Sequence, residues 1–288
     1  MYAITGITGK VGGNVARTLL AAGKPVRAIV RDAGKGEEWA RLGCEVALAT
    51  VEDSTALARA LEGATAAFIL PPPAFDPQPG FPEARALAQS FVRALTLAKP
   101  ARALYLSTIG ADAPHENLLS QHTLIEAALG GAALPLTILR PAWFLENAAW
   151  DVPTARDAGM VPSYLQPLDK PFPMVAIKDV GRVAAELLQE TWTGQRIVEL
   201  EGPTRVSPND LARALGRALG KPVHATAVPP ATWQDLFLAQ GMKNPGPRVR
   251  MLEGFNEGWI EFRGGGKEAL KGRIPVDAAI AALVTAQS

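Results

Sequence analysis

The first dozen residues constrain the fold more than any later stretch. Residues 2–5 form a short apolar run that leads straight into TGITGKVGG, where Gly6, Gly9 and Gly12 are spaced by three. Residues 10–22 then carry Val11, Val15, Leu19 and Leu20 on one side and stop at Gly23, the pattern of a helix closed by glycine. Strand, glycine turn and helix in that order open a βαβ unit. Gly6 allows the sharp turn at the strand end, Gly9 leaves the backbone open to a close neighbour, and Gly12 lets the helix lie close to the sheet.

The unit repeats. Strands are expected at 26–31, 45–49, 66–70, 103–107 and 135–140, alternating with helices at 37–42, 54–61 (opened by a Ser cap), 83–99 and 122–129. The continuous apolar run at 66–70 suits a strand covered on both faces. This alternation predicts an α/β fold: a Rossmann-type doubly wound parallel sheet with its ligand crevice at the carboxyl ends of the strands. From Pro141 on, prolines crowd in. Strands at 174–177 and 196–200, flanking a helix at 179–190, are expected to complete the sheet. Helices at 208–219, 231–240, 248–258 and 276–286, with a strand at 223–228, are expected to form a smaller, mainly helical C-terminal substrate lobe. The predicted division is a nucleotide-binding core at 1–150 completed by 174–201, and a capping lobe at 151–173 and 202–288. The glycines at 264–266 are expected to lie in a flexible loop.

Composition excludes several classes. The formal net charge is +1, charged residues are 20%, and no dense Lys/Arg run occurs, which argues against nucleic acid as a partner. The one cysteine, Cys44, forms no internal disulfide and fits a reducing compartment; in LGCEVAL it is expected as a small buried filler. The chain has no apolar run of roughly 18 residues and opens on no basic-then-apolar leader, so no membrane span, no signal peptide and a cytoplasmic location are expected. Three histidines and one cysteine give no metal-ligand spacing, and there is no Gly-x-Ser-x-Gly elbow.

The glycine turn has a chemistry of its own. A helix N-terminus behind it offers free N–H groups and a partial positive charge to a pyrophosphate, so a dinucleotide is the expected ligand, with Thr5, Thr8 and Lys10 adding polar contacts. NAD sites place an acid at the end of the second strand, for the ribose 2′-hydroxyl. Here RAIVRD places Arg31, whose planar, permanently charged fork fits a 2′-phosphate, with Lys35 assisting. Asp32 is the competing observation, and a merely solvated Arg31 is the alternative. NADP(H) is favoured over NAD(H).

Five segments in order, TGITGKVGG, RAIVRD, LYLSTIGA, LTILRPAWFLEN and MVAIKDVGRVAAELL, resemble the NmrA-like atypical short-chain dehydrogenases, most of all their NADPH:quinone oxidoreductase branch. The resemblance runs to about residue 200 and continues more loosely through VELEGPTRVSPNDLARALGRALGKPV. It implies that Gly6, Thr8, Gly9, Lys10, Val11 and Gly12 line the pyrophosphate and that Arg31 holds the 2′-phosphate. It also implies that Leu70, Pro71, Pro72, Ser107, Thr108 and Ile109 border the ribose and nicotinamide, and that Trp143, Phe144 and Asn147 border the substrate. The sequence departs from the pattern at Thr50, where family members often carry an Asp that meets the adenine. It departs again at Pro71–Pro73, which donate no N–H and stiffen the wall.

The catalytic Tyr-x-x-x-Lys pair of ordinary short-chain dehydrogenases is missing. Tyr2, Tyr105 and Tyr164 are followed at the fourth place by Gly6, Ile109 and Leu168. An acceptor that needs no strong enzyme acid, such as a quinone, escapes that objection. His122 matches a family position held by His or Lys; with an ordinary pKa of about 6.5 it is either a proton donor or orienting group, or a helix-face histidine bonded to backbone. Trp143 and Phe144 either stack on a flat substrate or pack between lobes. Glu146 and Asn147 are expected to meet the cofactor or substrate edge, His115 to stand on the crevice rim, and Trp150 to anchor the lobe. Two functions remain: a flavin-free, metal-free NADPH-dependent reductase of quinone-like or small aromatic carbonyl compounds, and an NADP(H) sensor that regulates a protein partner.

Overall fold

A computed structural model describes residues 1–264 and 268–287. The first half is a strict alternation: β1 (Tyr2–Ile4), α1 (Lys10–Ala21), β2 (Val26–Val30), α2 (Ala33–Arg41), β3 (Glu45–Leu48), α3 (Ser54–Leu61), β4 (Ala66–Ile69), α4 (Pro82–Ala98), β5 (Ala103–Leu106), α5 (Ser120–Leu129) and β6 (Leu136–Pro141). It continues through β7 (Trp143–Phe144), a 3-10 turn (Leu145–Trp150), α6 (Val152–Ala158), β8 (Met160–Ser163), β9 (Met174–Val175), α7 (Ile177–Gln189) and β10 (Gln195–Glu201). The last part holds α8 (Pro208–Leu219), β11 (His224–Ala227), α9 (Trp233–Ala239), α10 (Gly246–Glu257), β12 (Glu268–Lys271) and α11 (Val276–Thr285).

Among the described residues the main sheet has eight strands in the order β12-β10-β6-β5-β4-β1-β2-β3, all parallel. The chain winds outward from β1 in both directions, so the switch point of the sheet lies between β1 and β4. Helices cover both faces. On one, Val11, Val15 and Leu19 of α1 pack with Val180, Val183 and Leu187 of α7. On the other, Leu57 and Leu61 of α3 pack with Phe91 and Leu95 of α4 and Leu129 of α5. Each such buried side chain contributes about 1.5–3 kcal/mol. The α1–α7 crossing is close: a Cβ on Gly181 would lie 2.3 Å from the Asn14 Cβ. The Thr5 hydroxyl donates to the Phe68 carbonyl (3.0 Å) and accepts from the Leu70 N–H (2.8 Å), tying β1 to β4 at the switch point. Thr5 therefore serves the sheet rather than standing free for a phosphate.

Several elements differ from the sequence expectation. The strand expected at 174–177 is only Met174–Val175, and it pairs with Trp143–Phe144 instead of completing the main sheet. The chain leaves extended structure there because α7 already begins at Ile177, whose N–H donates to both Glu146 carboxylate oxygens (3.0 and 2.9 Å). Glu146 is thus a helix cap. The outer edge of the sheet comes instead from β12, beside β10, in the stretch between the helices expected at 248–258 and 276–286, where no strand was expected. Its residues EALK carry no apolar run, because an exposed edge strand needs none. Of the glycine cluster expected to form a loop, Gly265 and Gly266 lie outside the described residues. Helix α2 starts at Ala33, four residues early, because the Asp32 carboxylate caps it. Asp53, not Ser54, caps α3, accepting from Thr55 N–H (3.0 Å) and Ala56 N–H (2.9 Å).

The later helices build two further apolar clusters. Trp233 and Phe237 of α9 meet Met251, Leu252 and Phe255 of α10 over Ile109 and Leu118. Val152 and Ala155 of α6 meet Leu215 of α8 and Ile280 and Val284 of α11. Trp150, expected as an anchor, is 87% exposed. Leu145 and Ala148 are the buried residues of its 3-10 turn, and their spacing of three leaves position 150 off the buried side. Among the described residues, no helix is long and apolar enough to cross a membrane.

Candidate active site

The site starts at the turn after β1. Gly6 has φ +61°, and a Cβ there would meet Leu70 Cδ2 at 2.7 Å. A Cβ on Gly12 would lie 2.4 Å from the Gly6 carbonyl oxygen, so α1 begins against the turn itself. Gly9 is different: within 4 Å its Cβ would meet only the Gly6 oxygen, at 3.3 Å. Gly9 caps α1 without a side-chain hydrogen bond, and the first turn, opened by Lys10, Val11 and Gly12, carries no acid. Its N–H groups therefore face an open cradle suited to an anion.

A hollow of about 450 Å³ continues from this turn, lined by Thr8, Gly9, Arg17, Lys35, Trp39 and Arg41 among others. Lys35 was foreseen from the sequence; Arg17 and Arg41 were not. Arg17 stands seven residues past Lys10, two helical turns along α1, pairs with Glu38 (3.3 Å) and lies 4.9 Å from the Trp39 ring centroid. Only the packing of α1 on α2 brings it there. Arg31 is exposed just past β2 and is not part of this lining. The Asp32 carboxylate, the rival acidic group, accepts from the Gly34 N–H (2.7 Å) and Lys35 N–H (3.4 Å). The Thr50 hydroxyl accepts from the Asp53 N–H (3.3 Å).

A second cavity, of about 360 Å³, opens past β5 and β6. Thr108, Ile109, Trp143, Phe144 and Asn147 line it together with α10. Trp143 meets the Phe255 ring edge-on, 5.3 Å between centroids. Phe75, 66% exposed, and Trp150 belong to the same lining. Leu70, Pro71, Pro72, Ser107 and His122 do not.

Ser107 and His122 serve two buried networks instead. The Ser107 hydroxyl donates to the Glu126 carboxylate. Arg140 grips Glu126 through Nε (2.9 Å) and Nη2 (2.5 Å), and its Nη1 lies 2.7 Å from Asp112 Oδ2. One hydrogen bond joins His122 Nδ1 to the Tyr105 hydroxyl at 2.8 Å. Burial pushes His122 down from 6.5 to about 4, so the ring is neutral at pH 7 and the expected value near 6.5 does not hold. Burial, helped by the Glu126 charge, raises Tyr105 well above the ordinary phenol. His115 stands in an exposed loop with its ring edge-on to Trp259 at 5.1 Å, and it is not part of the cavity lining.

Two charged residues of the cavity escaped the sequence reading. Burial pushes the Asp151 carboxyl up from 3.8 to about 6, and it draws the Arg248 guanidinium below the ordinary arginine value. No group of residues able to hold a metal ion occurs among the described residues.

The glycine cradle, the basic hollow and the aromatic cavity lie along the carboxyl-terminal edge of one parallel sheet. The model of the NmrA-like family matches residues 2–247. The chain belongs to the NmrA-like family. It is 30% identical over 225 residues to the (4-alkanoyl-5-oxo-2,5-dihydrofuran-3-yl)methyl phosphate reductase of Streptomyces griseus, covering 77% of this chain and 75% of that one. It is 27% identical over 228 residues to quinone oxidoreductase 2 of Escherichia coli, covering 77% and 76%. Among solved structures, the fold matches Citrobacter triphenylmethane reductase complexed with NADP(H) at a TM-score of 0.79, with 19% identity over 98% of this chain and 99% of that one. The E. coli NADPH-dependent quinone oxidoreductase complexed with NADPH matches at 0.72, with 22% identity over 99% and 95%.

Proposed function

We propose that this protein, an NAD(P)H-dependent oxidoreductase, uses NADPH in preference to NADH and reduces a quinone-like or small aromatic carbonyl acceptor without flavin. The observation that carries the reading is the adjacency of an anion cradle to an apolar, aromatic-walled cavity on one sheet edge. Gly6, Thr8, Gly9, Lys10, Val11 and Gly12 hold the pyrophosphate. Lys35, with Arg31 and Arg17, holds the 2′-phosphate; the commitment of Asp32 to its helix cap removes the acid that a free 2′-hydroxyl would call for. Leu70–Pro72 and Ser107–Ile109 border the ribose and nicotinamide, the first by closing on Gly6 and the second by the position of β5 beside β4.

Bound NADPH supplies a hydride. The chain's part is to orient the acceptor between Trp143, Phe144 and Asn147 and to keep water from its face. Residues 151–173 and 202–288 act as the capping lobe over the core of 1–150 and 174–201, with β12 crossing back to the sheet. No Tyr-Lys pair is present to donate a proton, and His122 is neutral and engaged with Tyr105, so an acceptor whose reduced oxygens ionise readily fits best. Relatives named as a quinone oxidoreductase and an NAD(P)H azoreductase support small conjugated acceptors. Cys44, a buried thiol whose pKa burial raises, suits a reducing, cytoplasmic setting.

The test is NADPH and NADH oxidation over a panel of quinones, with Arg31→Ala and Lys35→Ala beside the wild type. Losing one charge-assisted contact, worth about 1.5–3 kcal/mol, raises the NADPH KM roughly tenfold or more and leaves NADH untouched. Tight NADPH binding with no turnover across the panel refutes the reductase reading and favours a sensor acting on a protein partner.

A further inference from the structure

Arg248 is the cation of the aromatic cavity, and its contacts among the described residues are with neutral groups. It stands on α10, where positions 248, 251, 252 and 255 all face the cavity at helical spacing. Its guanidinium carbon lies 4.4 Å from the centroid of the buried Phe237 ring, and Nη1 lies 3.7 Å from the Met242 sulfur. Both contacts hold the group in place, and neither supplies a negative charge. Among the described residues it makes no ion pair. Asp76, which approaches this end of α10, is occupied by the Lys243 and Asn244 N–H groups, both at 2.7 Å. Asp151 lines the same cavity and is not paired with Arg248 either.

The position makes the arginine more unusual. It lies in the first turn of a twelve-residue helix, where the helix dipole already favours an anion and disfavours a cation. A half-buried guanidinium without a carboxylate, at the positive end of a helix and facing an apolar cavity, fits a ligand that brings its own negative charge.

We propose that the acceptor this cavity takes carries an anionic group, a carboxylate or a phosphate, on its flat aromatic or conjugated body, and that Arg248 is the residue that selects it. The proposal deepens the reductase reading and rests on it for the word acceptor. The ring lies against Trp143 and Phe255, and the anion reaches the guanidinium in a two-pronged contact.

The experiment separates binding from turnover. Redox-inert 2-naphthoate, 2-naphthyl phosphate and neutral 2-naphthol are titrated by calorimetry into the full chain, wild type, Arg248→Met and Arg248→Lys. The expected result is that at least one anion binds tenfold or more tightly than naphthol, that Arg248→Met abolishes the difference while keeping naphthol affinity within about twofold, and that Arg248→Lys keeps part of it. The tighter of the two anions identifies the group. Equal affinity for anion and naphthol in the wild type, or an anion preference that survives in Arg248→Met, overturns the proposal. Because these ligands are not reduced, a failure of the reductase reading shows in turnover and leaves this result intact.

Discussion

Two alanine substitutions three residues apart should separate what the glycine turn does for the fold from what it does for the cofactor. In Gly12→Ala the new Cβ falls 2.4 Å from the Gly6 carbonyl oxygen, 2.6 Å from the Gly6 carbonyl carbon and 3.0 Å from Ile7 Cα. All three are backbone atoms of the turn and none can rotate aside. Ordinary contact begins at 3.4 Å, so α1 and the turn must part by about an ångström. Overpacking of that kind costs about 1–3 kcal/mol, which over 288 residues lowers Tm by about 2–5 °C. The same displacement carries the first-turn N–H groups away from the proposed pyrophosphate position, so NADPH affinity should fall as well. In Gly9→Ala the nearest atom is 3.3 Å away and φ is −89°, which alanine adopts freely. Its Tm should stay within about 1 °C of the wild type. Its methyl group nevertheless stands in the cradle, and NADPH affinity should fall at least about tenfold, as for the loss of one good phosphate contact. Thermal melts of cofactor-free protein and fluorescence titration with NADPH read both quantities. Wild-type NADPH affinity in Gly9→Ala, or equal destabilisation by the two variants, would refute the assignment of Gly9 to the pyrophosphate.

Other expectations concern the buried networks and the titrating groups. Glu126→Ala leaves Arg140 buried with Asp112 alone and removes the acceptor of Ser107, so urea melts should show a loss of about 3–5 kcal/mol. Asp151, raised to about 6, holds a proton in the native state that the unfolded chain has released; its contribution therefore falls as pH rises from about 4 to about 6. Asp151→Asn should match the wild type at the acid end of that window and exceed it in stability above pH 6. His122 works in the opposite sense: with a native value of about 4, its contribution is full above 6.5 and is lost as pH falls toward 4, a slope that His122→Asn should lack. By the same value, the pH profile of kcat/KM should show no His122-dependent limb near 6.5.

The parallel sheet was legible because its strands announce themselves: β4, β5 and β6 are buried at every position, and they alternate with amphipathic helices. The cradle was legible because its three glycines stand between a strand and a helix. Elements whose residues answer to a partner were harder to read. β12 is an exposed edge with no apolar signal, and the start of α7 is set by Glu146, thirty-one residues earlier. In the same way Arg17 and Arg248 join their hollows through helix packing, while Tyr105 on β5 and Ser107 just past its end are drawn into separate networks by α5. A short sequence window holds a strand or a turn, but not the helix that packs against it.

The central claim, direct hydride transfer from NADPH to an acceptor in the aromatic cavity, is best tested with NADPH deuterated at the transferable position on one face of the nicotinamide ring or the other. Saturable, flavin-independent oxidation with a primary isotope effect from one face alone is expected, lost from the reaction when Trp143→Ala empties the acceptor's wall. NADPH binding without turnover, or turnover with no isotope effect from either face and no dependence on Trp143, would contradict it.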